Sequence, residues 1–130
     1  MMRHWILLLG MLLLSGCVST AGSLPDIVHI QGLKIENQTM MWVSAAQLKV
    51  LNTGGFVSCG NIAPGSMCST GFPETQYNGS PVEITWSQGG RIHSTGEFEI
   101  IIPDSLDIDK PAMVQVVITG PNSAGAGLIQ

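Results

Sequence analysis

The chain is predicted to be all-β, a small antiparallel β-sandwich that follows an N-terminal segment of different character. Two observations carry this. After residue 26, apolar and polar residues alternate with period two, the mark of strands that bury one face. Clusters rich in Gly, Pro, Asn and Asp separate the alternating runs, and no sustained stripe of period 3.6 occurs among them.

The first element is not a strand. Arg3 and His4 precede ten apolar residues, Trp5 to Leu14. A bilayer span needs about 20 apolar residues, so this run is too short to cross. Its length suits the apolar region of a secretion signal. Leu14-Ser15-Gly16-Cys17 follows at once. This stretch resembles the bacterial lipobox, in which an aliphatic residue and two small residues precede a cysteine. A thiol is needed to receive the lipid, and small side chains let the peptidase close on the bond before it. The resemblance covers residues 1–17. It implies diacylglyceryl attachment to the Cys17 sulfur, cleavage between Gly16 and Cys17, and an N-terminus held in the bilayer by acyl chains, each buried CH₂ contributing about 0.8 kcal/mol. Val18 stands where enteric inner-membrane lipoproteins carry aspartate, so the resemblance points to the periplasmic face of the outer membrane. Residues 1–16 are thus expected to be a removed signal and residues 17–25, small and polar from Val18 to Pro25, a flexible tether.

The expected domain runs from residue 26 to 119. In the first strand Val28 and Ile30 share one parity, and Leu33 and Ile35 the other. An extra residue at Gln31-Gly32, forming a bulge, would bring both pairs to the same face. Ala46, Leu48 and Val50 form the next inward set. Val82, Ile84 and Trp86 are followed by Gln88-Gly89-Gly90, which is expected to close a hairpin onto a strand over 91–102 carrying Phe98, Ile100 and Ile102. Val114, Val116 and Ile118 make the last inward set. The expected core is therefore Val82, Ile84, Trp86, Phe98, Ile100, Val114, Val116 and Ile118. Leu48 to Asn52, Thr53-Gly54 and then Ile62-Ala63-Pro64-Gly65 resemble bacterial immunoglobulin-like modules, which implies an immunoglobulin-like sandwich. Residues 120–130, rich in Gly, Ala, Asn and Ser, read as a mobile tail.

With Cys17 set aside, Cys59 and Cys68 remain. An even pair in an exported protein reads as a disulfide. Closing a ten-residue loop contributes about 2.7 kcal/mol on the chain-entropy relation. Cys59 to Pro81 is the longest stretch without strand alternation, and a long loop stapled by a crosslink is a candidate recognition surface. The alternative is a disulfide that only secures a corner.

Composition narrows the function. After Cys17, Lys34, Lys49, Arg91 and Lys110 face nine acidic residues, leaving no basic patch for nucleic acid. G-x-S-x-G, H-E-x-x-H and Walker A motifs are absent from the sequence. No catalytic set, cofactor or metal site is implied. His29 and His93 fall on polar parity and are expected to be exposed. Asp104, Asp107 and Asp109 read as a solvated acidic loop, and the glycosylation-like runs at Asn37 and Asn78 as chance matches. The candidate recognition aromatics are Phe72, Tyr77, Trp42 and Phe56. Trp42, after Met40 and Met41, has apolar neighbours of both parities. It is either in a strand covered on both faces, the favoured reading, or in an exposed binding surface. The expected function is a membrane-anchored, non-enzymatic envelope protein that binds or assembles with a protein partner. A carbohydrate or peptidoglycan-fragment binding module is the alternative.

Overall fold

The computed structural model describes residues 27–130, and the expected signal, Cys17 and the tether lie outside the described residues. The described chain is a β-sandwich of two sheets. The strands are β1 (Val28–Asn37), β2 (Val43–Val50), β3 (Phe56–Ile62), β4 (Met67–Thr70), β5 (Gln76–Tyr77), β6 (Pro81–Gln88), β7 (Arg91–Ser94), β8 (Phe98–Glu99), β9 (Ala112–Gly120) and β10 (Ser123–Ile129). One sheet has the order β10-β9-β1-β4, with β5 beside β1, and the other the order β3-β2-β6-β7, with β8 beside β6.

The sequence pattern sets the inner faces. Val28, Ile30, Leu33, Ile35, Val114, Val116 and Ile118 from the first sheet meet Val43, Leu48, Val50, Val82, Ile84 and Trp86 from the second, all buried. The expected bulge is present: Ile30 pairs with Ala112 and Gly32 with Met113, so Gln31 is the extra residue that restores phase. Gly89 and Gly90 form the expected two-residue hairpin between Gln88 and Arg91. Both have positive φ, 58° and 77°, as the turn twist favoured by hairpins requires.

Several expectations are corrected. The sandwich is not wholly antiparallel, because β1 pairs with β9 in parallel. β7 and β8 return the chain to the pole where β1 starts, and residues 100–111 carry it there from one sheet to the other, completing the crossover that parallel pairing needs. Residues 120–130 are not a tail. They turn at Pro121-Asn122 and lie on β9 as β10, with Ala126 opposite Val116 and Leu128 opposite Val114. Their alternation was present in Ala124, Ala126 and Leu128, but alanine gives too little hydrophobic contrast to show it. The strand expected over 91–102 is broken into β7 and β8, and Phe98 is only half-buried, packed against the core rather than within it.

β2 carries an irregularity of its own. Ala45 has φ 51°, and the register slips beside it against both neighbours. A non-glycine residue is uncommon in this region. The slip turns Ala46 inward, fully buried, while Ser44 and Ala45 stay outside.

Cys59 and Cys68 are bonded, with Cα atoms 6.0 Å apart. They do not share a loop. Cys59 is on the edge strand of one sheet and Cys68 on the edge strand of the other, so the disulfide staples the sheets together where the chain crosses between them.

Candidate functional site

The sandwich has two poles. At one, β1 begins at Val28 and pairs with Tyr77, β2 ends at Val50 opposite Val82, and β10 ends at Ile129. Ile27 lies there, and so does Gln130, whose side-chain amide bonds the backbone of Asp107. At the other pole β1 ends at Asn37 and residues 38–42 turn the chain into β2. Ten strand residues separate the poles by about 30 Å.

The turn of residues 38–42 is built on Asn37, which is fully buried. Its side-chain N–H₂ donates to the carbonyls of Met41 (2.8 Å) and Ile62 (3.0 Å). Its Oδ1 accepts from the Thr39 amide (3.0 Å) and the Thr39 hydroxyl (2.6 Å). Having given its proton to Asn37, that hydroxyl accepts from Gln88 Nε2 at 2.6 Å. Gln88 Oε1 in turn accepts from the Trp86 indole N–H at 3.3 Å. The network joins core to turn, and no buried side-chain polar atom among the described residues is left without a partner.

What this turn presents is apolar. Met40 is 93% exposed, Met41 53% and Trp42 61%. This corrects the favoured reading of Trp42 as core. Val43 is the first inward residue of β2, so Trp42 falls on the outer face. A cleft of about 420 Å³ opens beside it, lined by Met41, Trp42, Ser44, Ser87, Gly89 and Gly90. The two glycines offer no side chains to fill it. None of its lining residues is charged.

The other candidates fare differently. Tyr77 is buried, donates to the Ser80 carbonyl at 2.6 Å and accepts from the Ile100 amide at 2.8 Å. Burial raises its phenol above the ordinary value, the Ile100 amide opposes this, and the charge of Glu99 adds to it. Phe72 packs edge-on against it, with centroids 6.2 Å apart, and rests on the core. Tyr77 is therefore a packing residue with Phe72 half-buried beside it, and the stapled stretch from Cys59 to Pro81 is strands and corners rather than one loop. Phe56 is exposed, on β3 opposite Lys49 and away from Trp42. His29 is exposed as expected. His93 is half-buried, because it faces Trp86 across the β6–β7 ladder with rings 5.8 Å apart. Among the described residues no group of three or more His, Cys, Asp or Glu side chains is gathered to hold a metal ion. From sequence, Asn37 and Thr39 stand out only as a glycosylation-like run and Gln88 only as part of a turn, since isolated polar residues at strand ends carry no signal of burial.

No family model matches the chain, and no curated protein matches it. A similar solved structure is an NMR structure of a protein from Eubacterium rectale, 13% identical, with a TM-score of 0.46, covering 83% of this chain and 93% of that one.

Proposed function

We propose that this chain is an envelope lipoprotein, anchored through an acylated Cys17, whose sandwich binds a protein partner and catalyses no reaction. The observation that supports the binding role is the exposed Met40-Met41-Trp42 surface, fixed in place by a buried hydrogen-bond network. Trp is enriched at binding hot spots, and Met adapts to varied apolar partners. A pre-ordered surface also loses less entropy on association. The surface lies at the pole opposite Ile27, so a tether entering there leaves it clear. The lipobox-like run Leu14-Ser15-Gly16-Cys17 supports the anchor, and Val18 supports the outer membrane.

A second reading is favoured by one feature. The cleft beside Trp42 is uncharged and has Ser44 and Ser87 in its wall. That chemistry suits a neutral carbohydrate, stacked on the indole and hydrogen-bonded by hydroxyls.

Trp42→Ala separates these. It is expected to weaken capture of a protein partner from solubilised membranes by about 30-fold, the effect of removing a hot spot of about 2 kcal/mol. The melting temperature should hold within a few degrees, because the residue is exposed. Loss of binding to a glycan array, with no protein capture by the wild type, selects the carbohydrate. For the anchor, Cys17→Ser is expected to abolish labelling by a palmitate analogue in cells, and undiminished label refutes it.

A further inference from the structure

The four lateral edges of the two sheets are not alike. β4 and β5 are short, separated by residues 71–75, and tied to the opposite sheet at Cys68. β3 is tied down at Cys59 and turns left-handed at Gly60. β7 and β8 are short and parted at residues 95–97. Interruptions of this kind are how proteins keep a sheet edge from pairing with another chain. β10 has one irregularity, where it starts between Ser123 and Ala124, and none from there to Ile129. It is seven residues long, and no charged residue occurs from Pro111 to Gln130.

Gly125 and Gly127 add a second observation. Neither has the positive φ that would require glycine, and a Cβ added at either meets nothing within 4 Å. Glycine weakens a strand, and inside one it often marks close approach of another backbone. No part of the described fold makes that approach here.

We propose that β10 pairs antiparallel with β10 of a second copy of this chain, about a two-fold axis through Ala126. Antiparallel pairing of identical strands is self-complementary, and a two-fold closes it. Centred on Ala126, the five residues from Ala124 to Leu128 pair, clear of the irregularity at Ser123. Ala124 meets Leu128 of the second copy on the inward face, small against large. Gly125 meets Gly127 of the second copy on the outward face, where nothing obstructs contact. The missing charges matter as well, since two copies of an acidic protein meet along an edge with no like charges to oppose. The two Ile27 ends emerge at opposite ends of the joined sheet, an arrangement compatible with one membrane when the strands run along its surface.

The test is the mass of the full-length chain in mild detergent, by sedimentation velocity over a wide concentration range. The wild type is expected to dimerise. Gly125→Lys with Gly127→Lys places lysine opposite lysine twice and is expected to weaken the dimer at least about tenfold. Gly125→Lys with Gly127→Glu places opposite charges across both contacts and is expected to restore it to within about threefold. Circular dichroism confirms that both variants fold, since the two impose the same steric load. A wild type monomeric throughout, a double-lysine variant that dimerises as well as the wild type, or a charge swap that fails to restore association overturns the proposal. A complex of β10 with a different polypeptide, with no self-association, overturns it too. Trp42→Ala is expected to leave the dimer unchanged, which keeps this outcome separate from that of the binding pole.

Discussion

Asn37→Asp exchanges one side-chain nitrogen for oxygen, and the structure makes that exchange severe. The replaced atom faces the Met41 carbonyl at 2.8 Å and the Ile62 carbonyl at 3.0 Å. Two donated hydrogen bonds disappear, each worth about 1 kcal/mol net. An ionised carboxylate is then left fully buried against two carbonyl oxygens. That adds at least about 1–3 kcal/mol, the penalty for an unsatisfied buried group. The expected loss at pH 7 is therefore about 3–5 kcal/mol, a large part of the stability of a domain this size. At about 4 °C or more per kcal/mol, the melting temperature falls by about 12 °C or more. The loss depends on pH in a defined direction. Burial and the two carbonyls raise the new carboxyl above its unfolded value of about 3.9. Between those values the folded state holds the extra proton, so stability rises as pH falls and the destabilisation shrinks. Protonated, the side chain donates to one of the two carbonyls again. Asn37→Ala removes the same bonds without a charge, and its deficit relative to wild type should be flat across this range. Urea unfolding of all three proteins, followed by circular dichroism from pH 4 to 7, measures the differences. An Asn37→Asp protein as stable as wild type at pH 7, or one whose deficit grows on acidification, refutes the role assigned to the amide.

Two further outcomes follow from the core and the staple. Replacing Cys59 and Cys68 together with Ala is expected to cost about 2.7 kcal/mol in urea unfolding, with reductant erasing the difference from wild type. Tyr77→Phe strands the Ile100 amide and the Ser80 carbonyl, and is expected to cost about 1–3 kcal/mol by the same measurement. Burial, the leading cause, raises the Tyr77 phenol, so its contribution is complete below about pH 10 and is lost as pH rises through the raised value. A pH titration of stability should show that alkaline loss in wild type and a smaller one in Tyr77→Phe.

The inner faces were legible because strand parity is a local property. Val82, Ile84 and Trp86 alternate against Glu83, Thr85 and Ser87, and no distant residue is needed to read them. The bulge at Gln31 and the hairpin at Gly89-Gly90 were legible for the same reason. Whatever depends on partners far along the chain was not. Nothing local in Val28–Asn37 announces a parallel neighbour at Ala112–Gly120, and nothing in Tyr77 says that its hydroxyl meets Ile100. The exposed site was misjudged for a related reason. Met40, Met41 and Trp42 are apolar enough to be core, but the turn anchored by Asn37, Thr39 and Gln88, with Val43 as the first inward residue of β2, leaves them outside. β10 was missed because alanine and glycine hide a period-two pattern that leucine or valine would have displayed.

The pairing of β1 with β9 also constrains when this molecule comes into being. β2, β3, β6 and β7 neighbour one another within a short span of chain, so their sheet can form early. β1 waits. Until residues 112–118 are available, Leu33 and Ile35 have a neighbour in β4 but none on their other side, and a chain synthesised from its N-terminus holds that side open through most of its length. Contacts this distant in sequence slow folding. Completion of the sandwich therefore belongs to the last stretch of the polypeptide: shortened before β9, the chain loses both β9 and β10 and leaves β1 at an open edge.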